Sequence, residues 1–331
     1  MTALTEAETL KPLVAAGRDR EKAVIDAPSR TTPYSYREFA TNTWKAGNLL
    51  GHYGARGGTV AVVIGPKTTG EREEKRGRDR EGERGTDREQ EGFGFVDAAE
   101  PLLALLGGTL LGVPVTVVEN SGTNGTGTVD PGLADGTEAG DSGLTDGTEA
   151  GDSGLSEETR VLVLPWEWVD RYDPPPACSV LAYGGPPTEP SVAHFEAELW
   201  SETPVEPPEQ VTPADDALRI GGDVYTHGEL VAATEQVVEA LGLDESSTLG
   251  LAAPVTSPGG IVAGVLAPLS VGATIQPVAD PEYRGDTDRD SLGESEGVTV
   301  VLTDEGEGAG DDERVVSVSA MTELVRDASD L

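Results

Sequence analysis

The chain is poor in cysteine, lysine, histidine and aromatic residues, and each scarcity removes a class of function. One cysteine, Cys178, in 331 residues excludes an intrachain disulfide and any multi-cysteine metal site. Three scattered histidines, His52, His194 and His227, leave no material for a His-rich metal centre. The lysines are Lys11, Lys22, Lys45, Lys67 and Lys75, and none follows residue 75. Sixty acidic residues stand against 23 basic ones, a net charge of -37. Phosphate contacts need clustered Lys and Arg on a positive surface, so nucleic acid is not an expected partner. No apolar run reaches the roughly 18 residues of a membrane span. The N-terminus "MTALTEAETLKPLV" lacks the charged-then-apolar order of a signal peptide. The expectation is a soluble, cytoplasmic protein with no membrane partner.

What the chain does have is length for one large or two ordinary domains and 37% hydrophobic residues, enough for a core. Its acids are spread along the whole sequence rather than gathered in a tail. With few lysines and much Gly, Ala and Thr, that pattern reads as the acidic proteome of a halophile, where molar salt screens the self-repulsion. An acidic partner-binding surface is the alternative, and the even spread argues against it.

Two stretches carry too little apolar content to bury. Residues 70–91, "GEREEKRGRDREGERGTDREQE", read as a solvated insertion between a strand and a helix. Within 119–157 an 11-residue unit occurs twice, "GLADGTEAGDS" then "GLTDGTEAGDS", and reads as a flexible acidic linker. The chain therefore divides into a first α/β unit over 1–118, the linker over 119–157, and a second α/β unit with C-terminal strands over 158–331.

A second duplication is more informative. "YSYREFATNT" (34–43) and "YTHGELVAAT" (225–234) share Tyr, then Ser or Thr, then Glu three residues on. Each is a capping box, in which Ser35 or Thr226 caps the first N–H groups of a helix and Glu38 or Glu229 reaches back. Phe39, Thr43, Ala46 and Leu50 form the apolar stripe of one helix; Leu230, Ala233, Val237 and Leu241 form the other. After each come a short apolar strand, "TVAVVIG" or "TLGLAAPV", a second apolar helix, a glycine and another strand. Helix–strand–helix–strand twice implies mainly parallel sheets with crossover helices, an α/β fold. "TRVLVLPWEWV" and "CSVLAYGG" add two strands between the units, and the segment past residue 296 adds two more and a closing helix.

Several motifs invite chemistry and lose it on inspection. "GPKTTG" (65–70) follows a strand and holds Lys67, but it lacks the upstream glycines of a phosphate loop and reads as a strand exit. "GDSG" at Ser142 and Ser153 lies inside the repeat, with no His and Asp placed to activate it. "DTDRDSLGESEG" (286–297) alternates Asp286, Asp288 and Asp290, yet Ser291 and Gly297 stand where a calcium loop needs Gly and Glu. Cys178, at the start of a strand, reads as a buried small hydrophobe.

From 28 to 280 the order of segments resembles the N-terminal domain of the adenylate-forming acyl-CoA synthetases, the AMP-dependent synthetase/ligase family. "YSYREFATNTWKAGNLLGHYGARGGTVAVVIG" is similar to that family's opening helix and first strand, and "FVDAAEPLLALLGGTLLGVPVTVV" to the next helix and strand. "ADDALRIGGDVYTHGELVAATEQVVEALGL" resembles the segment that holds the family's Ser/Thr/Gly-rich phosphate loop, a Lys-Gly, and then Thr-His opening a helix. "APVTSPGGIVAGVLAPLSVGATI" resembles the strand, loop and helix after it. The resemblance implies activation of a carboxylic acid with Mg-ATP to an acyl-adenylate, then transfer to CoA. It makes Gly222, Thr226 and His227 the border of a nucleotide loop, and Ser257, Gly259 and Gly260 substrate-side residues, Ser257 standing where the family often has histidine.

The departures are as specific. Lys-Gly falls on Gly221–Gly222, and the hydroxyl-rich loop is replaced by "PADDALRI" or deleted between Asp216 and Asp223. Without lysine after residue 75, the family's C-terminal catalytic lysine has no counterpart, and the family's remaining domain and lid are expected to be missing. Three readings result: a degenerate member binding an acyl or adenylate ligand or a partner ligase; an active or split ligase completed by another chain; or an unrelated α/β binding or structural protein. No catalytic residue and no metal ligand is assigned, and Mg-ATP and CoA are cofactors only if ligase activity is retained.

Overall fold

A computed structural model of the protein describes residues 7–26, 32–65, 99–118, 155–277, 299–303 and 314–329. The chain opens with helix α1 (Leu10–Ala16), strand β1 (Ala23–Ile25) and the short β2 (Tyr34–Ser35). Then follow α2 (Tyr36–His52), β3 (Thr59–Val63), α3 (Glu100–Thr109) and β4 (Val115–Val118). Between the two duplicated units lie β5 (Thr159–Pro165), β6 (Ser179–Tyr183), β7 (Ala193–His194) and α4 (Phe195–Ser201). The second unit has the hairpin β8 (Asp216–Ile220) and β9 (Asp223–Thr226), then α5 (His227–Leu241) and β10 (Thr248–Leu251). Next, α6 (Pro258–Ile261) continues through a π-helical turn (Val262–Leu266) into α7 (Ala267–Val271) and β11 (Thr274–Pro277). β12 (Thr299–Thr303), β13 (Arg314–Ser317) and α8 (Val318–Ser329) complete the described chain.

Both expected capping boxes form. Ser35 Oγ accepts from Glu38 N at 3.3 Å, and Glu38 Oε2 accepts from Ser35 N at 3.0 Å. Both apolar stripes are buried as well: Phe39, Thr43, Ala46 and Leu50 on α2, and Leu230, Ala233, Val237 and Leu241 on α5. All five residues of β3 are buried. That is the continuous apolar run of a parallel strand covered on both faces, rather than the alternation of a half-exposed one. The expected strand over 159–169 is shorter, because after Pro165 the chain passes into a six-residue 3-10 helix at Trp166–Arg171. Helix α5 stops at Gly242, left-handed at φ 64, where Leu243 N donates to Val238 O across the last turn.

The strands form two sheets. One runs β13-β12-β10-β11-β1-β2 and the other β7-β6-β5-β3-β4-β8-β9. Every pairing is parallel except the two hairpins, β1 with β2 and β8 with β9. The sheets do not follow the order of the chain. The first unit's hairpin pairs with the second unit's last strand, Ile25 opposite Ile275. The second unit's hairpin pairs with the first unit's last strand, Val115 opposite Leu218. The two units are thus related by a reciprocal exchange of hairpins. No described helix is long and apolar enough to cross a membrane.

Candidate functional site

The β8–β9 hairpin occupies the place where the sequence resemblance puts the phosphate loop. Its connection is Gly221–Gly222 alone, with φ of 59° and 92°. Two consecutive residues at positive φ make the tight turn that matches the twist of a two-residue hairpin, and glycine adopts it without strain. Both glycines are exposed, and the turn carries no hydroxyl and no lysine.

Four residues on, Thr226 begins α5. Its Oγ1 accepts from Glu229 N at 3.3 Å and donates to Glu229 Oε2 at 2.8 Å, while its own N–H meets the same carboxylate at 2.7 Å. The hydroxyl's donor is therefore committed to the cap. His227 turns inward and is fully buried. Its N–H donates to Asp215 O at 3.0 Å, and its Nδ1 accepts from Leu10 N at 3.3 Å. An Nδ1 that accepts fixes the neutral tautomer with hydrogen on Nε2. Among the described residues Nε2 has no hydrogen bond of ordinary geometry, and the Thr109 backbone is its one weak partner. Burial pushes the imidazole down to about 4, against the opposing pull of Asp215 and the Thr109 backbone. The imidazole is therefore neutral in the fold, with burial as the largest cause.

The duplicated module explains this placement. Tyr36, the counterpart of His227, is also buried, and its hydroxyl points at the carbonyls of Pro268 (3.0 Å) and Ala273 (2.7 Å), where α7 gives way to β11. Arg20 and Lys22 reach Leu269 O and Gly272 O at the same helix end, at 3.4 and 3.2 Å. In each half, the residue after the N-cap is a peg driven into the other half.

Ser257, Gly259 and Gly260 lie at the start of α6. Ser257 Oγ accepts from Gly260 N at 3.1 Å as the N-cap. Gly259 N donates to Thr322 Oγ1 of α8 at 3.1 Å. A Cβ on Gly259 would stand 2.5 Å from Thr322 N and Val318 O, and one on Gly260 2.4 Å from Pro254 O. The close approach of α8 accounts for Gly259, and the tight turn back to Pro254 accounts for Gly260. Among the described residues no hydrogen bond links this set to Gly222, Thr226 and His227. Helix α8 contacts both α5 and α6, and its Arg326 reaches back to Asp223 at 3.2 Å.

Elsewhere, Cys178 is half-buried just before β6, and burial pushes its thiol up to about 11. His52 Nδ1 lies 2.7 Å from Glu202, and His194 Nε2 lies 3.2 Å from Glu196. No group of three His, Cys, Asp or Glu among the described residues is placed to hold a metal. A shallow hollow of about 110 Å³, lined by Trp166, Asp170 and Glu189 among others, was not foreseen and is well below the size of a small-molecule site. Lys67, Ser142, Ser153, the aspartates of 286–297 and the insertion at 70–91 lie outside the described residues.

The donors needed for a triphosphate therefore do not assemble on this hairpin: the turn has no side chains, the threonine serves the cap and the histidine is inside. No protein-family model matches the sequence, and no curated protein matches it. Solved structures do match. The N-terminal domain of FACL13 from Mycobacterium tuberculosis superposes with a TM-score of 0.59 at 13% identity, covering 97% of this chain and 73% of that one. The anthranilate CoA ligase AuaEII, in complex with anthranoyl-AMP, gives 0.58 at 15% identity, covering 92% and 51%. A benzoate CoA ligase from Burkholderia xenovorans gives 0.53 at 15%, covering 89% and 50%. The chain spans about half the length of those two ligases. At such identities the likeness is one of backbone, and the fold of this chain is that of the N-terminal domain of the adenylate-forming, AMP-dependent ligases.

Proposed function

We propose that the protein is a degenerate relative of the AMP-dependent ligases that does not adenylate a carboxylic acid by itself, and acts by binding an acyl or adenylate ligand or a partner ligase chain. The observation that carries this reading is the two-residue Gly221–Gly222 turn between β8 and β9. Triphosphate binding in a site of this kind depends on several backbone N–H groups and hydroxyls converging with a cation. Here Gly222 offers only backbone on an exposed turn, and Thr226 and His227 are engaged in starting α5 and joining it to α1. Ser257, Gly259 and Gly260 serve the start of α6 and its packing against α8.

The test is pyrophosphate exchange with Mg-ATP and a panel of carboxylic acids, beside isothermal titration with Mg-ATP and with acyl-adenylate analogues, in molar KCl. The expected outcome is no exchange and no micromolar affinity for ATP. Micromolar ATP binding accompanied by exchange overturns the reading.

The alternative reading is an active AMP-forming ligase, or one completed by another polypeptide, and it rests on the backbone likeness to the ligases' N-terminal domain. Exchange activity that appears only when a chain encoded beside this one is added distinguishes it from the first.

A further inference from the structure

The strand order shows something that the division of the chain into two successive units does not. Call residues 7–118 the first segment and 155–329 the second. The first contributes two separate strand pairs, β1–β2 and β3–β4, which lie in different sheets. A two-stranded pair is at best marginally stable in water. The second segment contributes everything else, but its strands in the larger sheet fall into two groups, β7-β6-β5 and β8-β9. Between these groups β3 and β4 are inserted.

The insertion is continuous on both flanks. β3 pairs with β5 from Thr59 opposite Thr159 to Val62 opposite Val163, and β4 pairs with β8 from Val115 to Val117. All five residues of β3 are buried, so removing it opens the centre of a sheet rather than an edge. In the smaller sheet the dependence runs the other way. Among the described residues β1 and its partner β2 join the rest of the sheet through β11, with Ile25 opposite Ile275, Asp26 N donating to Ile275 O at 2.9 Å and Thr274 Oγ1 donating to Ala23 O at 3.1 Å. The pegs follow the same rule. Tyr36 of the first segment binds the end of α7 in the second, and Leu10 N of the first donates to His227 Nδ1 of the second.

We propose that the two segments are obligate partners, a self-complementing pair in which the second segment is the binding surface for the first, so that the native body persists without a covalent connection between them. The surface consists of two strand slots, one between β5 and β8 and one beside β11, and the partner it fits is the 7–118 segment of this same chain; a swapped dimer would elute ahead of the uncut chain and would count against it. Among the described residues the second segment contains the four adjacent strands β13-β12-β10-β11, whereas the first contributes two separate two-stranded pairs. The inference stands on strand order and is independent of whether the protein adenylates anything.

The experiment inserts a site-specific protease sequence within the repeat at 132–153 of the full chain and cuts the folded protein to completion. The cut protein is expected to elute at the volume of the uncut chain, to contain both pieces, and to unfold in urea in one transition that depends on protein concentration. Elution as two folded species, or precipitation of a piece on cutting, overturns the proposal. So does a cooperative urea transition from residues 1–118 expressed alone. Tyr36→Phe removes only a hydroxyl from the interface and is mild enough to leave the uncut chain folded. It is expected to weaken reassociation of the cut pieces by about tenfold, and an unchanged dissociation constant counts against an interface built on these pegs.

Discussion

Helices α2 and α5 begin with the same device built twice, and among the residues that differ the one after the cap is the informative one. Both start with a buried tyrosine, both close a capping box, and both drive the next side chain into the opposite half. At Tyr36 the peg is a phenol that meets two carbonyls; at His227 it is an imidazole that takes one N–H on Nδ1 and finds only the Thr109 backbone, at poor geometry, for Nε2. A Thr-His pair that resembles the border of a nucleotide site thus occupies a position whose twin is plainly structural. The helix crossings behind these two helix starts differ too. α2 crosses α3 through Gly47 and Gly107, whereas the corresponding positions on α5 and α7 are Val238 and Ala267. A Cβ on Gly107 would lie 2.7 Å from Gly47 N and 2.9 Å from Ala46 Cβ.

That crossing offers the largest effect. Gly107→Leu drives a side chain into a backbone that cannot yield and is expected to cost about 3 kcal/mol or more in urea unfolding, near the upper end of overpacking penalties. Ala267→Gly, at the matching place in the other half, is expected to cost only about 1 kcal/mol, the helix propensity difference. If Gly107→Leu were tolerated as well as Ala267→Gly, the two crossings would be equivalent and the contrast between the halves would be lost.

Acid comes next, because only one of the two pegs titrates in an accessible range. His227 is held near 4 in the folded chain, while the unfolded chain's histidine sits near 6.5. Between those values the unfolded state binds the extra proton, so this contribution is complete above pH 6.5 and is lost as the pH falls towards 4. One pKa unit corresponds to about 1.4 kcal/mol, which puts the full loss at about 3–4 kcal/mol. Burial holds the Tyr36 phenol in its protonated form far above this window, so its half contributes no such slope. Urea melts at pH 7, 5.5 and 4.5 are expected to be flatter for His227→Gln than for the parent. Equal slopes would mean that His227 is already charged in the fold.

The legible parts of this molecule were those written in local chemistry. Ser35 and Glu38, or Thr226 and Glu229, announce a helix start by themselves, and the 3.6-residue stripes behind them give the buried faces, so both helices and the strands after them follow from sequence. The family resemblance rested on the order of such pieces, and the backbone comparison agrees with it. What was not legible is long-range. Nothing near Ala23–Ile25 says that its partner strand is the one holding Ile275, far along the chain, and β7 with α4 carries too few residues for a periodicity. The role of Gly259 was equally hidden. A Gly-Gly after a strand reads as a ligand approach, whereas here Thr322 and Val318 of α8 occupy the space a Cβ would need. His227 falls between these cases: its helix start was readable, its burial against α1 was not.

Tyr36→Phe sharpens the peg comparison at a smaller scale. It removes a buried hydroxyl from Pro268 O and Ala273 O while keeping the ring, and the expected loss is about 1.5 kcal/mol. Because these carbonyls end α7, the variant should raise amide exchange around Gly272 and Ala273 before it affects α2. Exchange that rises first within α2 would place the anchor's value in its own helix instead.

The smallest expected effects come from the caps, and they separate a helix start from a binding site most directly. Thr226→Ala and Ser35→Ala each remove an oxygen that accepts the N3 N–H, and each is expected to cost about 1 kcal/mol. Thr226→Ser keeps that oxygen and should cost only a few tenths. Two caps built alike should also respond alike, since each is paired with a glutamate that bonds back to the cap's own N–H. A threonine that served a ligand would break this parity. Thr226→Ser would then melt like the parent yet lose titratable binding of an adenylate analogue, while Ser35→Thr would leave that binding untouched. Matched melting losses with binding unchanged in both would leave Thr226 as what its twin already is, the first residue of a helix.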